Sequence, residues 1–591
     1  MTQDSHKPDL SEFTRNMAKA AEQCQRIYQE FMARQLDNIE HKPLDPAGLG
    51  AAMTQWFTQA AQDPSKLWEK QLEWWQESVN LWQNAASRAL GENLKPYIEV
   101  DPKDRRFKDA AWNESAVFDF IKQSYLLTAR WMQQSVRDVP GVDPKIMQKI
   151  DFYTRQFVDA MSPSNFIMTN PEVLKATLES QGENLVKGFS HLLSDLEKSK
   201  SNLRISMTDY AAFKVGKNLA ITPGKVVYQN DLMQLIQYEP TTKDVFKTPL
   251  LVIPAWINKY YILDLQPDNS LVKYLVDQGY TVFVISWVNP DEKLAQKTFD
   301  DYMMEGPIAA LDAIEKATGE KQVSIGAYCL GGTLTAITLA WLKAKKQSTR
   351  VKSVTYLTTM IDFAECGELS VFIDDEQLEL MESRMKELGY LEGSEMAMTF
   401  NMLRANDLIW SFVVNNYLLG KEPFPFDLLY WNADSTRMPA AMHSFYLRSM
   451  YQKNLLIQPG GITVGGVAID LSTIDTPTYV LSSREDHIAP WKSTYIATQT
   501  YAGEIRFVLA ASGHIAGVIN PPAKEKYCHW VNNIPYPKSP DEWVAGAREV
   551  KGSWWPDWLA WHAPFTGEKA PARKITGAIE DAPGSYAKVI S

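Results

Sequence analysis

The chain has 591 residues, more than a single hydrophobic core usually serves, so at least two folding units are expected. Hydrophobic residues make up 45% and charged residues 22%, which excludes a disordered or collagen-like chain. Lys+Arg number 60 against 71 Asp+Glu, and with a net charge of −11 and no basic arm the chain has little with which to displace counterions, which argues against a nucleic-acid binder.

Residues 1–16 are polar and lack a signal-peptide core. Nowhere do some 18 apolar residues run together, so no transmembrane helix is expected. Up to about residue 200 the chain is rich in Gln, Ala, Met and Trp, with helical periodicity at 27–36 and 115–135, and predicts a helical N-terminal domain over 1–200. Within it Trp68, Leu72, Trp75, Val79 and Trp82 recur at steps of four and three, forming one apolar helical stripe with Glu69, Lys70, Gln76 and Glu77 off it. Such a stripe either packs against the rest of the chain or docks on an apolar surface or partner helix, and the sequence leaves both open.

From 201 to 591 short β-rich runs alternate with helical patterns: 249–254, 281–287, 323–327, 351–358, 476–482 and 505–510. This alternation predicts βαβ units feeding a buried, largely parallel sheet, an α/β fold. Between about 361 and 458 the strands stop and a helical, aromatic-rich stretch intervenes, expected as a cap over an active site. GGITVGG at 460–466 lacks a strand-to-helix context and is read as a turn or hairpin, not a phosphate loop. Cys24, Cys329, Cys366 and Cys528 are scattered without pairable spacing, which argues for a reducing cytosol over a disulfide framework. Cys528 beside His529 is too little for a metal site.

The chemistry concentrates in VSIGAYCLGGT at 323–333, a β-run ending in a cysteine between bulky neighbours, followed by two glycines and a helical pattern. This is the pattern of a nucleophile elbow, with Cys329 at its apex. A helix N-terminus there favours thiolate, and the Leu330 N–H would serve the oxyanion formed when sulfur attacks a thioester. Downstream, Asp486 follows the run in TPTYVLSSREDHIAP and His514 follows the next in IRFVLAASGHIAG. Nucleophile, acid and base thus appear in the order of α/β-hydrolases, each at a strand end where open sheets place their sites. His514 is suited to take the thiol proton and return it to a leaving group. Asp486 either orients His514 or acts as a base toward a substrate hydroxyl, and spacing does not separate these roles. His487 reads as a residue of the site wall, behind the reacting groups.

These motifs resemble those of the polyhydroxyalkanoate synthases, specifically the single-chain class I poly(3-hydroxybutyrate) type, across nearly the whole chain. The resemblance rests on YCLGG, REDHIAPW, GHIAGVINPP and INKYYILDL, and further on DRRFKDAAW, YLLTARW, LRANDLIW and FDLLYWNADST. It implies an α/β-hydrolase fold with a helical cap insertion behind a helical N-terminal domain. It also implies polymerisation of (R)-3-hydroxyacyl-CoA, 3-hydroxybutyryl-CoA and similar short-chain units, into polyester on Cys329, with release of CoA. No cofactor is implied, since the CoA thioester is itself the substrate. The family further implies a homodimer at the surface of cytoplasmic polyester granules, with granule-associated proteins such as phasins as partners. By the same resemblance Arg404 meets the CoA phosphates, with a plain ion pair as the alternative. Two positions depart from the family pattern: Ala327 stands where Gly is usual in the elbow, and Ala255 where a second Pro is usual in the loop expected to give the other oxyanion donor. The competing readings are a Cys-dependent thioesterase or esterase of the same fold and a non-catalytic granule-surface protein.

Overall fold

Runs of Val, Ile and Leu with no polar alternation have no face to offer water, so they form strands covered on both sides. The structure, a computed structural model, describes residues 10–38, 48–199 and 203–590; residues 1–9 of the polar start and the expected boundary at 200 lie outside the described residues. Two compact units are present, Met1–Asp209 with Phe400–Pro425, and Tyr210–Thr399 with Phe426–Ser591.

The second unit holds a sheet of β1 (Gly224–Gln229), β2 (Met233–Tyr238), β3 (Leu250–Ile253), β4 (Val282–Trp287), β5 (Val323–Tyr328), β6 (Val351–Leu357), β7 (Thr478–Ser483), β8 (Ile505–Ala510), β9 (Cys528–Val531), β10 (Arg548–Lys551) and β11 (Glu580–Asp581). Their order across the sheet is β10-β9-β8-β7-β6-β5-β3-β4-β2-β1-β11. The strands from β8 across to β4 are parallel, and they are the six runs read from the sequence. The remaining strands pair antiparallel on either flank. Alternate residues of β3 enter different cores: Leu251 and Ile253 join one hydrophobic cluster, Leu250 and Val252 the other. The sheet is therefore packed on both faces, as an α/β fold requires. GGITVGG forms a hairpin, with Thr463 and Val464 paired to Ala468 and Val467.

Near the end of the chain the aromatic segment GSWWPDW, at 552–558, packs inward. Trp554, Trp555 and Trp558 are buried in the core that takes Leu250 and Val252, and the Trp554 and Trp555 indoles donate to the Val518 carbonyl, behind the turn that carries His514.

The first unit is built from α1 (Leu10–Asn38), α2 (Leu49–Ala60), α3 (Pro64–Ala89), α4 (Ala116–Arg137), α5 (Pro144–Ala160), α6 (Pro171–Glu179) and α7 (Glu183–Lys198). α3 packs through Trp74, whose ring lies 5.5 Å from Trp131 of α4, and through the buried Leu81. The stripe singled out in the sequence lies one residue further round. Trp68, Leu72, Trp75, Val79 and Trp82 remain 50–66% exposed, so packing among the described residues does not absorb them. In DRRFKDAAW, Arg106 bridges Asp104 at 2.8 Å and Asp159 at 3.2 Å, fixing this loop to α5.

Only the middle of the insertion between β6 and β7 leaves the sheet unit. Phe400–Pro425 belongs to the helical unit, because its polar and apolar groups are completed there: Asn184 donates to the Leu418 carbonyl, Tyr417 to Asp195 at 2.7 Å, and Leu418 and Leu419 bury against Val173. No helix among the described residues is long and apolar enough to cross a membrane.

Candidate active site

β5 ends at Tyr328, and α8 (Leu330–Ala344) begins two residues later. The whole turn falls on Cys329, at φ 52° and ψ −119°, a conformation that non-glycine residues adopt only when held. Ala327 is buried within the strand and is absent from the positive-φ residues, so the elbow's bend does not need glycine there. The two glycines after Leu330 have a different task. A Cβ on Gly331 would sit 2.1 Å from the Ile253 carbonyl oxygen, and one on Gly332 would sit 1.9 Å from Thr359 Oγ1. They let the start of α8 press against the ends of β3 and β6. The N–H groups of Leu330 and Gly331, first in the helix, have no carbonyl within it to bond and point their partial positive charge toward the turn.

The strand ends are stitched together by backbone bonds. Cys329 N donates to Leu357 O at 2.9 Å, Thr358 N to Leu481 O at 2.7 Å and Arg484 N to Ala510 O at 2.8 Å. Residues that follow β5, β7 and β8 are thereby brought side by side. Asp486 Oδ2 meets His514 Nδ1 at 2.7 Å, and Asp486 Oδ1 accepts the N–H groups of Ile488 and Ala489 at 2.8 and 2.9 Å. The carboxylate is closed off from solvent, with both oxygens engaged. Burial pulls the His514 imidazole down, but the charges of Asp486 and Cys329 and hydrogen bonding to both outweigh it and push the group up to about 10. The Tyr328 ring lies 5.4 Å from the imidazole.

Opposite the elbow runs the loop 254–259, pinned from several sides. Trp287 donates to the Pro254 carbonyl at 2.9 Å, Thr436 Oγ1 to Trp256 O, Thr436 N to Ile257 O at 2.9 Å, and Trp431 to Lys259 O at 2.7 Å. Lys259, itself buried, donates to the carbonyls of Tyr586 and Val589. Thr436 and Trp431 belong to FDLLYWNADST, so that motif holds the loop facing Cys329. Sequence reasoning named the motif without finding this task, because the pairing joins residues some 180 positions apart.

Cys329, Asp486 and His514 thus converge, with Leu330 supplying a free helix-start N–H. His487 is half-buried, and it is His514 whose ring nitrogen meets Asp486. Arg404 lies in the helical unit, exposed, with its guanidinium on Asp407 at 2.6 Å. Among the described residues no group of three or more His, Cys, Asp and Glu could hold a metal ion.

Comparison with known proteins bears on the family and the fold. A family model described as the poly-beta-hydroxybutyrate polymerase (PhaC) N-terminus matches residues 103–275, and the alpha/beta hydrolase fold matches 248–521. The chain is 46% identical to the poly(3-hydroxyalkanoate) polymerase of Methylorubrum extorquens, over 98% of each chain. It is 45% identical to the PhaC subunit of Rhizobium meliloti (strain 1021), over 97% of this chain and 94% of the relative, and 45% identical to that of Cupriavidus necator, over 89% of each. With an α/β-hydrolase sheet, a helical N-terminal unit and near-complete coverage by these relatives, the chain belongs to the poly(3-hydroxyalkanoate) polymerase family.

Proposed function

We propose that this chain polymerises (R)-3-hydroxyacyl-CoA, with 3-hydroxybutyryl-CoA and similar short units as substrates, through an acyl thioester on Cys329. The observation that carries the reading is the convergence of Cys329, His514 and Asp486 at neighbouring strand ends in a chain of this family. The Cys329 sulfur attacks the thioester carbonyl while the Leu330 N–H, with a donor from the 254–259 loop, steadies the oxyanion. The bond to CoA sulfur breaks, and that sulfur takes a proton from the His514 imidazolium. A 3-hydroxyl of another unit then attacks the Cys329-bound carbonyl, its proton passes to His514, and an ester forms as the Cys329 sulfur leaves. Asp486, with one oxygen on the imidazole and the other on backbone N–H groups, is assigned the orienting role. Thioester and thioester exchange at nearly equal energy, so these steps draw on no further co-reactant.

Arg404 is proposed to leave Asp407 for the CoA phosphates, and the helical unit to carry contacts with the granule, a second copy of the chain and granule-bound proteins such as phasins. The product is an insoluble polyester, which gives the exposed stripe of α3 a surface to cover in the cytoplasm. The test is incubation with (R)-3-hydroxybutyryl-CoA. The expected products are free CoA and insoluble polyester, with an acylated peptide containing Cys329; soluble 3-hydroxybutyrate alone would mean a thioesterase. Cys329→Ala should abolish CoA release, and unchanged release would overturn the nucleophile assignment.

A further inference from the structure

An acyl unit on Cys329 carries two oxygens that need partners, the carbonyl beside sulfur and the hydroxyl two carbons further on. The helix-start N–H groups serve the first. The carboxylate nearest the site is closed to the second, since both oxygens of Asp486 are bonded and shut off from solvent. Cys329 also packs against the core cluster that holds Leu330, Met360 and Phe363. The phenols of Tyr446 and Tyr451 lie in and against this cluster and bring hydroxyl groups to it.

Their placement follows from an irregular helix. α9 (Ala440–Tyr446) continues into a π-helical stretch, Leu447–Gln452. Residues five apart lie about 140° apart around an α-helix, whereas a π turn, bonded i to i+5, brings them onto one face. The Tyr446 and Tyr451 rings accordingly meet at 5.5 Å, edge to face. Phe363 packs on both, at 6.1 and 4.8 Å, and its N–H is held by Asn454 Oδ1. Tyr446 also lies 5.9 Å from Trp256 in the loop opposite the elbow. The Tyr446 hydroxyl is buried and turned to the Tyr451 hydroxyl in a contact short of full hydrogen-bond geometry, so the pair keeps bonding capacity that costs stability unless something completes it. Burial, with the neighbouring Cys329 and Cys366 sulfurs adding to it, raises both phenols, so each stays protonated and able to donate.

We propose that Tyr446 and Tyr451 bind the 3-hydroxyl of the acyl unit entering or carried on Cys329, and so select hydroxyacyl over plain acyl thioesters. A phenol both donates and accepts, which matches a hydroxyl that must be held and then turned outward for attack. A site built around such a bond rejects the analogue that lacks the hydroxyl, because its own buried polar groups are then left unpaired.

The inference rests on the polymerase reading, and one experiment separates the two. The full chain and its Tyr446→Phe and Tyr451→Phe variants are mixed in single turnover with (R)-3-hydroxybutyryl-CoA or with butyryl-CoA, and CoA release and Cys329 acylation are followed. The native chain should favour the hydroxylated substrate. Each variant should acylate about 10- to 100-fold more slowly with it and at an unchanged rate with butyryl-CoA. Equal slowing with both substrates, or no slowing with either, overturns the phenol pair while leaving the polymerase reading intact. Failure of the native chain to acylate Cys329 with either substrate overturns both. Capture of Cys329 by iodoacetamide at the native rate confirms that a variant keeps its site; should one phenylalanine variant fail that check, the other carries the comparison.

Discussion

Cys329 sits at φ 52°, a conformation costing a non-glycine residue about 1–3 kcal/mol, so its surroundings must hold it there. The hold is local: a backbone bond from Cys329 N to Leu357 O, and a helix start seated where only Gly331 and Gly332 fit. A methyl on Gly331 would meet a backbone carbonyl, which cannot swing aside as a side chain can. The elbow was legible in the sequence for this reason, since sterics leave few residue choices at such a turn. The choice between the two roles open to Asp486 was not legible, because it depends on which groups its two oxygens meet. Asp486→Asn should lower acylation about 10³- to 10⁴-fold by mis-orienting the imidazole. It should also change the pH dependence of stability. The folded value of His514 is raised above its unfolded value of about 6.5, so proton binding favours the folded chain. That contribution is complete below about pH 6.5 and is lost as pH rises through about 10. In urea titrations the stability difference between native chain and variant should therefore shrink from pH 7 to pH 10; a flat or widening difference refutes the coupling.

Elements differed in how plainly they announced themselves. The six central strands are buried on both faces over most of their length and rich in apolar residues, and their runs stood out for that reason. β2 is equally buried yet was not read, because MQLIQY carries Gln234 and Gln237. Gln234 is admitted to the interior by donating to Gln229 at 2.7 Å and to Ser585 at 3.0 Å, partners invisible in a local pattern. β10 and β11 are short and largely exposed, with no core face to betray them. α3 shows the opposite case, a pattern plainer than its role. Two apolar stripes run along it, one through Trp74 and Leu81 inward and one through Trp68, Trp75 and Trp82 outward. If the outward stripe meets polyester, replacing those three tryptophans by Gln removes the anchors while touching no reacting group. Sedimentation with preformed poly(3-hydroxybutyrate) particles should show about 10-fold or greater loss of bound protein, since each buried aromatic contributes about 1.5–3 kcal/mol. First-turnover CoA release from dissolved substrate should stay within about 2-fold. Undiminished sedimentation would leave the stripe without that role.

The chain as a whole crosses between its two units three times, at 209, at 399 and at 425, so the insertion after β6 is shared between them. Composition marked the helical region and the insertion separately, but nothing in the local pattern of 400–425 indicates that it folds with residues more than two hundred positions earlier. The physical reason is close backbone approach. At Gly188 of α7 a Cβ would stand 2.0 Å from the Tyr417 carbonyl oxygen, so the segment rests directly on a glycine face. Gly188→Ala sets two effects against each other. Alanine favours the helix by about 0.8–1 kcal/mol over glycine. The clash with a backbone oxygen costs about 1–3 kcal/mol or more, and it must be relieved by lifting either α7 or the segment. The clash should win. Hydrogen exchange in the full chain should then quicken about 5- to 10-fold or more across Val413–Leu418, as the bonds from Asn184 and Tyr417 loosen, while amides of β5 to β8 exchange as before. Protection that instead rises at Val413–Leu418 would mean that helix propensity prevails and that the segment does not depend on this approach.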